Sequence, residues 1–422
     1  MNSVPLGSGT ARLVPRNVGD VVVEALEAFR VVVINGPRQS GKSTLMRQIR
    51  SRLGGPLHNL DVEALRQAAL DDPAGLVLGD ERYVYIDEVQ RGGDPLVRAV
   101  KERADDPDTM TRFLLAGSTN FLSVPSLAES LTGRAVILEV WPFSQGEIEG
   151  RRDRFADRLV AGDAAEVSAP AVTRQEYFER ICAGGYPEPL VLPARLRTRW
   201  FTSYVDTITQ RDIADFAGAR RIGELPRLLR YLAGKTAQEL VKSRLADEVG
   251  LERHALAGYL PLLETVFLTR ELPAWSRNPL GKVTRTPKIH LTDTGLAAHL
   301  HGTTPAALAQ PIAPLRGQLV ETFVHNEMLR QLSWSDQPVS LSHWRDREGA
   351  EVDLVVESSV GAVFGLETKA SSTVTSEDFR WLRRLHDKLG DTFAQGVVLY
   401  LGPDVLRFGP KQVALPLSAL WA

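Results

Sequence analysis

Cysteine is almost absent from this chain, because Cys182 is the one cysteine among 422 residues. A single thiol forms no internal disulfide, and without a Cys-x-x-Cys pair or a Cys/His cluster the sequence gives no sign of a structural zinc site. A disulfide-stapled secreted fold is therefore excluded. We expect a reducing, cytoplasmic setting.

Long hydrophobic runs and a surplus of charge are missing as well. Nowhere do roughly 18 apolar residues follow one another, so we expect no membrane-spanning helix. The first residues, MNSVPLGSGTARLVPRN, lack the apolar stretch of a signal peptide. The 50 Lys and Arg nearly balance 52 Asp and Glu, whereas nucleic-acid binders usually carry a basic excess. Contact with DNA or RNA must then rest on a local patch.

The remaining sequence predicts an α/β protein of several domains, since 422 residues exceed the size of one hydrophobic core. From about residue 20 to about residue 150, the strand-like runs VVVING, YVYIDEV and TRFLLAGS alternate with amphipathic helical stretches. This alternation is typical of a parallel sheet. Residues 150–172 are polar and then rich in Ala and Pro, and we expect a loop or lid there.

The middle of the chain has a helical pattern. Residues 243–266 have the length and central Gly of a helix-turn-helix, and the strand-like runs VFLTREL and PKIHLTD follow them, as in a winged helix. The second helix carries only Arg253 and His254 as basic groups, so packing between protomers is an alternative to reading a DNA groove. More basic runs lie at 194–200 and 218–230.

A phosphate-binding loop is the strongest motif. GPRQSGKS, Gly36 to Ser43, fits GxxxxGK[ST] and stands between the apolar run Val31–Ile34 and a helical stretch. The glycines let backbone N–H groups approach phosphates, and Lys42 reaches the β and γ oxygens. Ser43 holds Mg²⁺ through its hydroxyl. The motif predicts ATP and Mg²⁺ as cofactors.

Polar residues follow the next strands. Asp87 and Glu88 end YVYIDEVQ, where Asp87 can ligate Mg²⁺ and Glu88 can deprotonate the attacking water, so the sequence favours hydrolysis over mere binding. Ser118, Thr119 and Asn120 stand where a γ-phosphate sensor lies, with helix capping as the alternative. Arg134 is a candidate arginine finger or, alternatively, a surface residue.

These segments resemble a family of prokaryotic AAA+-like ATPases that carry a C-terminal domain of unknown function. The resemblance extends from GPRQSGKST, YVYIDEVQ, LLAGSTN and GRAVILEVWPFSQGE to LTDTGLAAHL, GQLVETFVHNEML and LETKAS. It implies a P-loop ATPase, a winged-helix segment and a C-terminal fold like that of PD-(D/E)XK nucleases. It also implies that ATP is bound by Gly36, Pro37, Arg38, Gln39, Ser40, Gly41, Lys42, Ser43 and Thr44.

Nucleases of that type hold a divalent metal with a strand-borne Asp and a Glu-x-Lys on the next strand. This chain offers Asp353, the pair Glu367 and Lys369 in GLETKASS, and Glu321 on the preceding helix. Side chains two apart on a strand share a face, so we expect the pair to face Asp353. Carboxylates suit a divalent ion, and the lysine can steady the attacking hydroxide. The alternative is a solvated strand face with a Glu–Lys surface pair.

The sequence thus predicts a Mg²⁺-dependent ATPase whose nucleotide state controls a nuclease-like domain that interacts with DNA or RNA. The alternative is a nucleotide-controlled binding switch without nuclease activity. AAA+-like proteins often work as rings, so a homo-oligomer is one alternative, and the sequence leaves open both the oligomeric state and whether Arg134 acts in its own subunit. The predicted domains are the ATPase domain, the helical and winged-helix region, and the nuclease-like domain, at 1–170, 171–302 and 303–422.

Overall fold

The computed structural model describes residues 13–118, 133–166, 168–212, 222–278 and 285–422. They form two compact units. The smaller unit contains residues 13–118, 133–143 and Glu264–Phe267, and the larger unit contains the described residues between 144 and 263 and between 268 and 422. In the described ranges, no helix combines the length and the apolar character needed to cross a membrane.

The smaller unit is built on a parallel sheet, as the sequence predicts. Its strands pair in the order β2-β3-β4-β1-β5. Both β1 and β3 are buried along their whole length, as expected for strands covered on both faces. The strands are β1 (Val31–Asn35), β2 (Leu57–Asn59), β3 (Tyr83–Asp87), β4 (Arg112–Gly117) and β5 (Ala135–Glu139). The helices are α1 (Val18–Ala28), α2 (Lys42–Leu53), α3 (Glu63–Asp71), α4 (Pro73–Val77) and α5 (Gly93–Asp105).

The larger unit begins with helices. In chain order they are α6 (Gln145–Glu149), α7 (Phe155–Ala161), α8 (Arg174–Ala183), α9 (Pro187–Leu190), α10 (Ala194–Thr207), α11 (Leu225–Gly234), α12 (Lys242–Val249), α13 (Arg253–Thr265), α14 (Thr294–His301), α15 (Pro305–Ala309), α16 (Arg316–Gln331) and α17 (Arg380–Leu389). A π-helix, Ile208–Asp212, follows α10. Most of the strands of this unit follow α16 in the chain.

Two sheets belong to the larger unit. A small antiparallel sheet in the order β6-β8-β7 consists of β6 (Gln238–Glu239), β7 (Thr269–Leu272) and β8 (Lys288–Leu291). A mixed sheet in the order β13-β14-β12-β11-β10-β9 consists of β9 (Val339–Arg345), β10 (Glu351–Ser358), β11 (Val363–Lys369), β12 (Phe393–Tyr400), β13 (Leu406–Gly409) and β14 (Gln412–Pro416). The element order agrees with a winged helix followed by a nuclease-like sheet, and both assignments stay predictions.

Helix α17 covers one face of the mixed sheet. Its leucines Leu382, Leu385 and Leu389 are buried at helical spacing and pack in one core with Val352 of β10 and Val398 of β12. Burial of these apolar side chains stabilises the packing of α17 against the sheet. Charged residues near the ends of its central strands are thereby held on a rigid support.

The structure corrects the prediction of a loop or lid at 150–172, because α7 and a 3₁₀ helix at Ala164–Glu166 lie within this segment. The fully buried Asp153 orders the start of this segment. Its carboxylate accepts hydrogen bonds from Ser144 Oγ at 2.5 Å and from the Gly146 amide at 2.8 Å. Burial and the nearby Glu327 carboxylate raise the pKa of Asp153 to about 8. The polar contacts of Asp153 and the buried Phe155 and Leu159 of α7 together hold the segment.

Candidate functional site

The phosphate loop connects β1 to α2, as the motif predicts. Gly36 has φ +154°, and a Cβ there would stand 2.2 Å from the Val140 carbonyl oxygen. Gly41, immediately before α2, has φ +100°. Side-chain-bearing residues are strained in such conformations. Both glycines of the motif are therefore required by the local backbone.

Lys42 lies inside this loop. Its ammonium group donates hydrogen bonds to the carbonyl oxygens of Gly36 and Pro37, each at 2.8 Å, and the residue is 5% exposed. Burial lowers the pKa of Lys42 to about 8, and the Glu88 and Asp87 carboxylates oppose that decrease. The amine therefore remains mostly charged at neutral pH and is placed to attract phosphate oxygens.

Sequence reasoning missed a second basic group, Arg16. Its guanidinium donates hydrogen bonds to the Ser40 carbonyl at 2.7 Å and to the Trp141 carbonyl at 2.6 Å. It also lies 4.8 Å from the centre of the Phe143 ring. Arg16 thus braces the phosphate loop. A lone Arg in LVPRN belongs to no motif, so no signal in the sequence could have found it.

The acidic pair lies where the sequence predicts it. Asp87 ends β3 and is 4% exposed, and Glu88 follows in a left-handed conformation with φ +54°. The Glu88 carboxylate accepts hydrogen bonds from Gln90 Nε2 at 2.5 Å and from Ser118 Oγ at 3.3 Å. Ser118 follows β4, which pairs with β3. The predicted base and the predicted sensor are therefore in contact.

The remaining residues that are predicted to bind the nucleotide lie in the same loop or at the start of α2. Ser43 and Thr44 are half-buried at the start of α2, Arg38 is half-buried and Gln39 is exposed. Ser40 is buried, and in the described part of the chain its hydroxyl has no hydrogen-bond partner. Amide, hydroxyl, ammonium and carboxylate groups together fit a Mg²⁺–nucleotide. Thr119 and Asn120, the other sensor candidates, lie outside the described residues.

Arg134 lies just before β5 in the smaller unit. Its Nε contacts Asp105 Oδ1 at 2.6 Å, and its side chain is 39% exposed. Arginine and aspartate at this exposure form a surface ion pair, which contributes little to stability. The arginine-finger role of Arg134 stays a prediction.

A second candidate site lies in the larger unit, on adjacent strands of the mixed sheet. Leu354 of β10 pairs with Leu366 of β11, so Asp353 and Glu367 occupy the next positions on neighbouring strands. The pairing of β10 with β9 is irregular between Val352 and Val355, and such bulges re-aim side chains. Asp353 Oδ2 accepts hydrogen bonds from the amide and the hydroxyl of Thr368, both at 2.8 Å.

The structure brings Glu321 of α16 to the same two carboxylates. Burial, and then the Asp353 charge, raise the pKa of Glu321 and of Glu367 well above the ordinary value. Lys369 is 34% exposed at the end of β11 and lies 3.6 Å from Asp378 Oδ1. The structure thus brings Glu321, Asp353 and Glu367 together, whereas Lys369 contacts Asp378. The catalytic and metal-binding roles of all four residues stay predictions.

Lys288, at the start of β8, is the residue that sequence reasoning missed here. Its ammonium group lies 2.6 Å from Glu321 Oε1, 2.5 Å from Glu351 Oε1 and 3.8 Å from Asp353 Oδ1. Burial by itself would lower the pKa of Lys288, but the attraction of these carboxylates for the ammonium group is stronger and raises the pKa. The sequence did contain a signal for Lys288, because a charged residue begins the strand-like run KIHL. A charged residue in a strand-like run is also what pointed to Glu367.

The carboxylates are therefore grouped around an ammonium ion. Within the ranges that the structure describes, no three or more His, Cys, Asp or Glu side chains are arranged to hold a metal ion. Burial opposes ionisation of Glu351, yet the Lys288 charge outweighs it and lowers the pKa of Glu351. The site as built is a buried ion-pair cluster.

Comparison with protein families finds three matching segments. Residues 28–149 match an AAA domain, residues 174–307 match a domain of unknown function (DUF8612), and residues 316–420 match a second domain of unknown function (DUF4143). The AAA match spans the phosphate loop and the acidic pair. It confirms the prediction of a P-loop ATPase domain.

Two curated relatives match nearly the whole chain. They are the Uncharacterized protein Rv2008c of Mycobacterium tuberculosis and the Uncharacterized protein Mb2031c of Mycobacterium bovis. Each is 30% identical over 396 residues, which cover 93% of this chain and 81% of the relative. The similarity therefore includes the ATPase domain and both domains of unknown function.

Solved structures show more distant similarity. A Walker-type ATPase of Pyrococcus abyssi is 18% identical with a TM-score of 0.44, over 70% of this chain and 98% of that one. The RuvB Holliday junction branch migration motor of Thermotoga maritima is 20% identical with a TM-score of 0.30, over 63% and 90% of the two chains. At these TM-scores neither structure supports an inference about function.

Proposed function

The chain belongs to the same family as the Uncharacterized protein Rv2008c of Mycobacterium tuberculosis, and we propose that it binds and hydrolyses ATP with Mg²⁺ through its AAA domain. We further propose that its nucleotide state controls the C-terminal domain. In this proposal the ATPase domain, the helical and winged-helix region, and the nuclease-like domain occupy 1–170, 171–302 and 303–422.

The geometry around Lys42 carries the first part of the proposal. Its buried ammonium group lies inside a glycine loop at the start of α2, with Asp87 and Glu88 close enough to act on its pKa. The loop amides and Lys42 bind the phosphates, and Ser43 and Asp87 hold Mg²⁺. Bound Mg²⁺ supplies positive charge to the phosphate oxygens. Glu88 orients a water and accepts its proton.

We predict that Lys42→Ala abolishes ATP hydrolysis. The substitution removes the ammonium group that binds the β and γ oxygens, while the glycines that shape the loop are untouched. The measurement is phosphate release from ATP and Mg²⁺ by the purified full chain. Wild-type protein should lose this activity when EDTA is added.

Arg47→Ala is the matched control for this experiment, because Arg47 lies on the same helix, α2, and is exposed. It removes one positive charge without touching the loop. We expect Arg47→Ala to hydrolyse ATP at the wild-type rate. Normal turnover by Lys42→Ala would disprove the assignment of the phosphate loop.

For the larger unit, which contains both the helical region and the C-terminal domain, we propose nucleotide-controlled binding of DNA or RNA without cleavage. The observation that favours binding over cleavage is the position of Lys288, whose ammonium group lies among the carboxylates predicted to bind metal. A local basic patch exists on α10, where Arg195 and Arg199 are one turn apart and both exposed. Two such arginines can contact adjacent phosphates.

We predict that a labelled oligonucleotide binds the wild-type chain with an affinity that differs severalfold between ATP and ADP, and that no strand breaks appear. Charge reversal in R195E/R199E should weaken binding. With fewer phosphate contacts, fewer counterions are released from the nucleic acid when it binds. Fluorescence anisotropy gives the affinity, and a denaturing gel reveals any breaks. R380E/R407E, with two other exposed arginines of the larger unit reversed, is the control. Equal affinity with both nucleotides would contradict the switch.

Phosphodiester cleavage is the second candidate function. It is favoured by the convergence of Glu321, Asp353 and Glu367, with Lys369 at the end of the same strand. In this role the carboxylates bind a divalent ion and Lys369 steadies the attacking hydroxide. The gel that tests the binding switch also tests this candidate. Mg²⁺- or Mn²⁺-dependent breaks that disappear in Glu367→Gln would establish it.

A further inference from the structure

Helix α13 ends on a residue that is unusual for its position. The amide of Phe267 donates a hydrogen bond to the Glu264 carbonyl at 3.0 Å, and the amide of Leu268 donates one to the Leu263 carbonyl at 2.9 Å. These two bonds form a Schellman motif with Phe267 at its left-handed position, where φ is +59°. Glycine is the usual residue there, because a bulky side chain is strained in this conformation. A phenylalanine at this position therefore indicates that its ring has a role.

The ring of Phe267 is buried within the smaller unit. It lies edge-to-face against the Trp141 ring, with the ring centres 5.5 Å apart and the planes at 82°, and both residues are 2% exposed. Residues Glu264–Phe267 belong to the smaller unit, whereas the chain before residue 264 and after residue 267 belongs to the larger unit. Four residues at the end of α13 are thus held in the ATPase unit, and the aromatic contact contributes to holding them.

The backbone of Trp141 is tied to the phosphate loop. The guanidinium of Arg16 donates to the Trp141 carbonyl at 2.6 Å and to the Ser40 carbonyl of the loop at 2.7 Å. The amide of the preceding residue, Val140, donates to the carbonyl of Asn35, the last residue before the loop, at 2.6 Å. The backbone that carries the Trp141 ring is therefore bonded to the loop directly and through Arg16.

Bound phosphate acts on this connection through charge and through the backbone. Arg16 is 8% exposed, and its charge is, after burial, among the causes that lower the pKa of Lys42, so the two cations repel each other. Phosphate oxygens at Lys42 offset this repulsion and favour the buried position of Arg16. A nucleotide also fixes the loop backbone, including the Ser40 carbonyl, because the loop amides donate to its phosphates.

We infer that Arg16 is a positioning residue that couples nucleotide binding to the end of α13. With nucleotide at the loop, Arg16 and Trp141 hold Phe267 in the smaller unit, and without nucleotide the segment Glu264–Phe267 is released more often. Because ATP binding at the phosphate loop is itself a proposal, this coupling rests on the proposed function. Strand β7 (Thr269–Leu272) follows the segment almost directly, so the coupling gives the nucleotide state a path along the chain to α13 and β7.

Hydrogen–deuterium exchange of the full chain, with mass spectrometry of the peptide that contains residues 264–268, tests this coupling. The nucleotide is AMP-PNP with Mg²⁺, and its Kd is measured by equilibrium binding. In wild type we expect bound nucleotide to slow exchange in this peptide severalfold. Arg16→Met keeps Lys42 and the loop glycines, so it should bind nucleotide, at most severalfold more weakly by reciprocal coupling. Its exchange in this peptide should not respond to nucleotide.

Arg98→Met is the matched control, because Arg98 is exposed on α5 of the same unit and the change in charge is identical. Its exchange should respond to nucleotide as in wild type. Arg16→Lys keeps the charge and can donate to a carbonyl oxygen, so it should recover part of the response.

Phe267→Gly decides the question if Arg16→Met does not fold. Glycine suits the left-handed backbone and removes only the ring, so this variant should bind nucleotide without a change in exchange at residues 264–268. A response to nucleotide that persists in folded Arg16→Met or Phe267→Gly would overturn the coupling. Wild type that binds AMP-PNP without slower exchange in this peptide would overturn the coupling and leave the proposed ATP binding intact. Wild type that does not bind AMP-PNP would overturn both.

Discussion

Replacing Glu88 with glutamine is expected to lower kcat for ATP hydrolysis by roughly 10²–10⁴-fold, the range for a lost general base. Glutamine has the same shape, and its carbonyl oxygen can still accept the hydrogen bonds that Gln90 and Ser118 give to Glu88. The amide does not accept the proton of the attacking water. ATP affinity should change little, because Lys42 and the loop amides remain in place.

The measurement is steady-state phosphate release together with the Kd for ATP from equilibrium binding. Glu81→Gln is the matched control, since Glu81 is an exposed residue just before β3 and the change in charge is identical. It should leave kcat and Kd at the wild-type values. If Glu88→Gln kept the wild-type kcat, Glu88 would not be the base. If it lost ATP affinity instead, its role would be in binding.

The phosphate-loop site could be predicted from sequence because its parts lie close together along the chain. Gly36 to Ser43 form one motif, and backbone geometry requires the glycines where the motif has them. Asp87 and Glu88 end an apolar run, and parallel strands bring their carboxyl ends to one edge of a sheet. Local patterns thus determine the contacts with phosphate.

The C-terminal cluster was predicted only in part, since its key cation comes from a distant segment. Strand periodicity places Glu367 and Lys369 on one face, and the nuclease-like pattern adds Asp353 and Glu321. Nothing in that pattern includes Lys288, which lies 33 residues before Glu321. Which strand of another sheet reaches the cluster depends on tertiary packing. Asp153 shows the same limit, because its buried hydrogen bonds order a segment whose polar composition predicts a loop.

Replacing Arg330 with methionine is expected to lower the free energy of unfolding by about 3–5 kcal/mol, the cost of removing one partner from a buried ion pair. Arg330 contacts the carboxylates of Glu327 and Asp293, and the exposed fractions of the three side chains are 4%, 0% and 0%. Methionine fills similar space but supplies no charge. Both carboxylates would then remain buried without their cation.

Urea unfolding followed by tryptophan fluorescence measures this loss. Arg380→Met is the matched control, because Arg380 pairs with Glu377 at side-chain exposures of 53% and 70%. Exposed pairs contribute roughly 0–1 kcal/mol, so the control should unfold near the wild-type midpoint. Arg330→Lys should recover part of the stability, since it keeps the charge but lacks the planar group that spans two carboxylates. Equal midpoints for Arg330→Met and Arg380→Met would mean that the buried carboxylates do not depend on Arg330, and that hydrogen bonds from the backbone amides of Gln145 and Gly185 suffice to hold them.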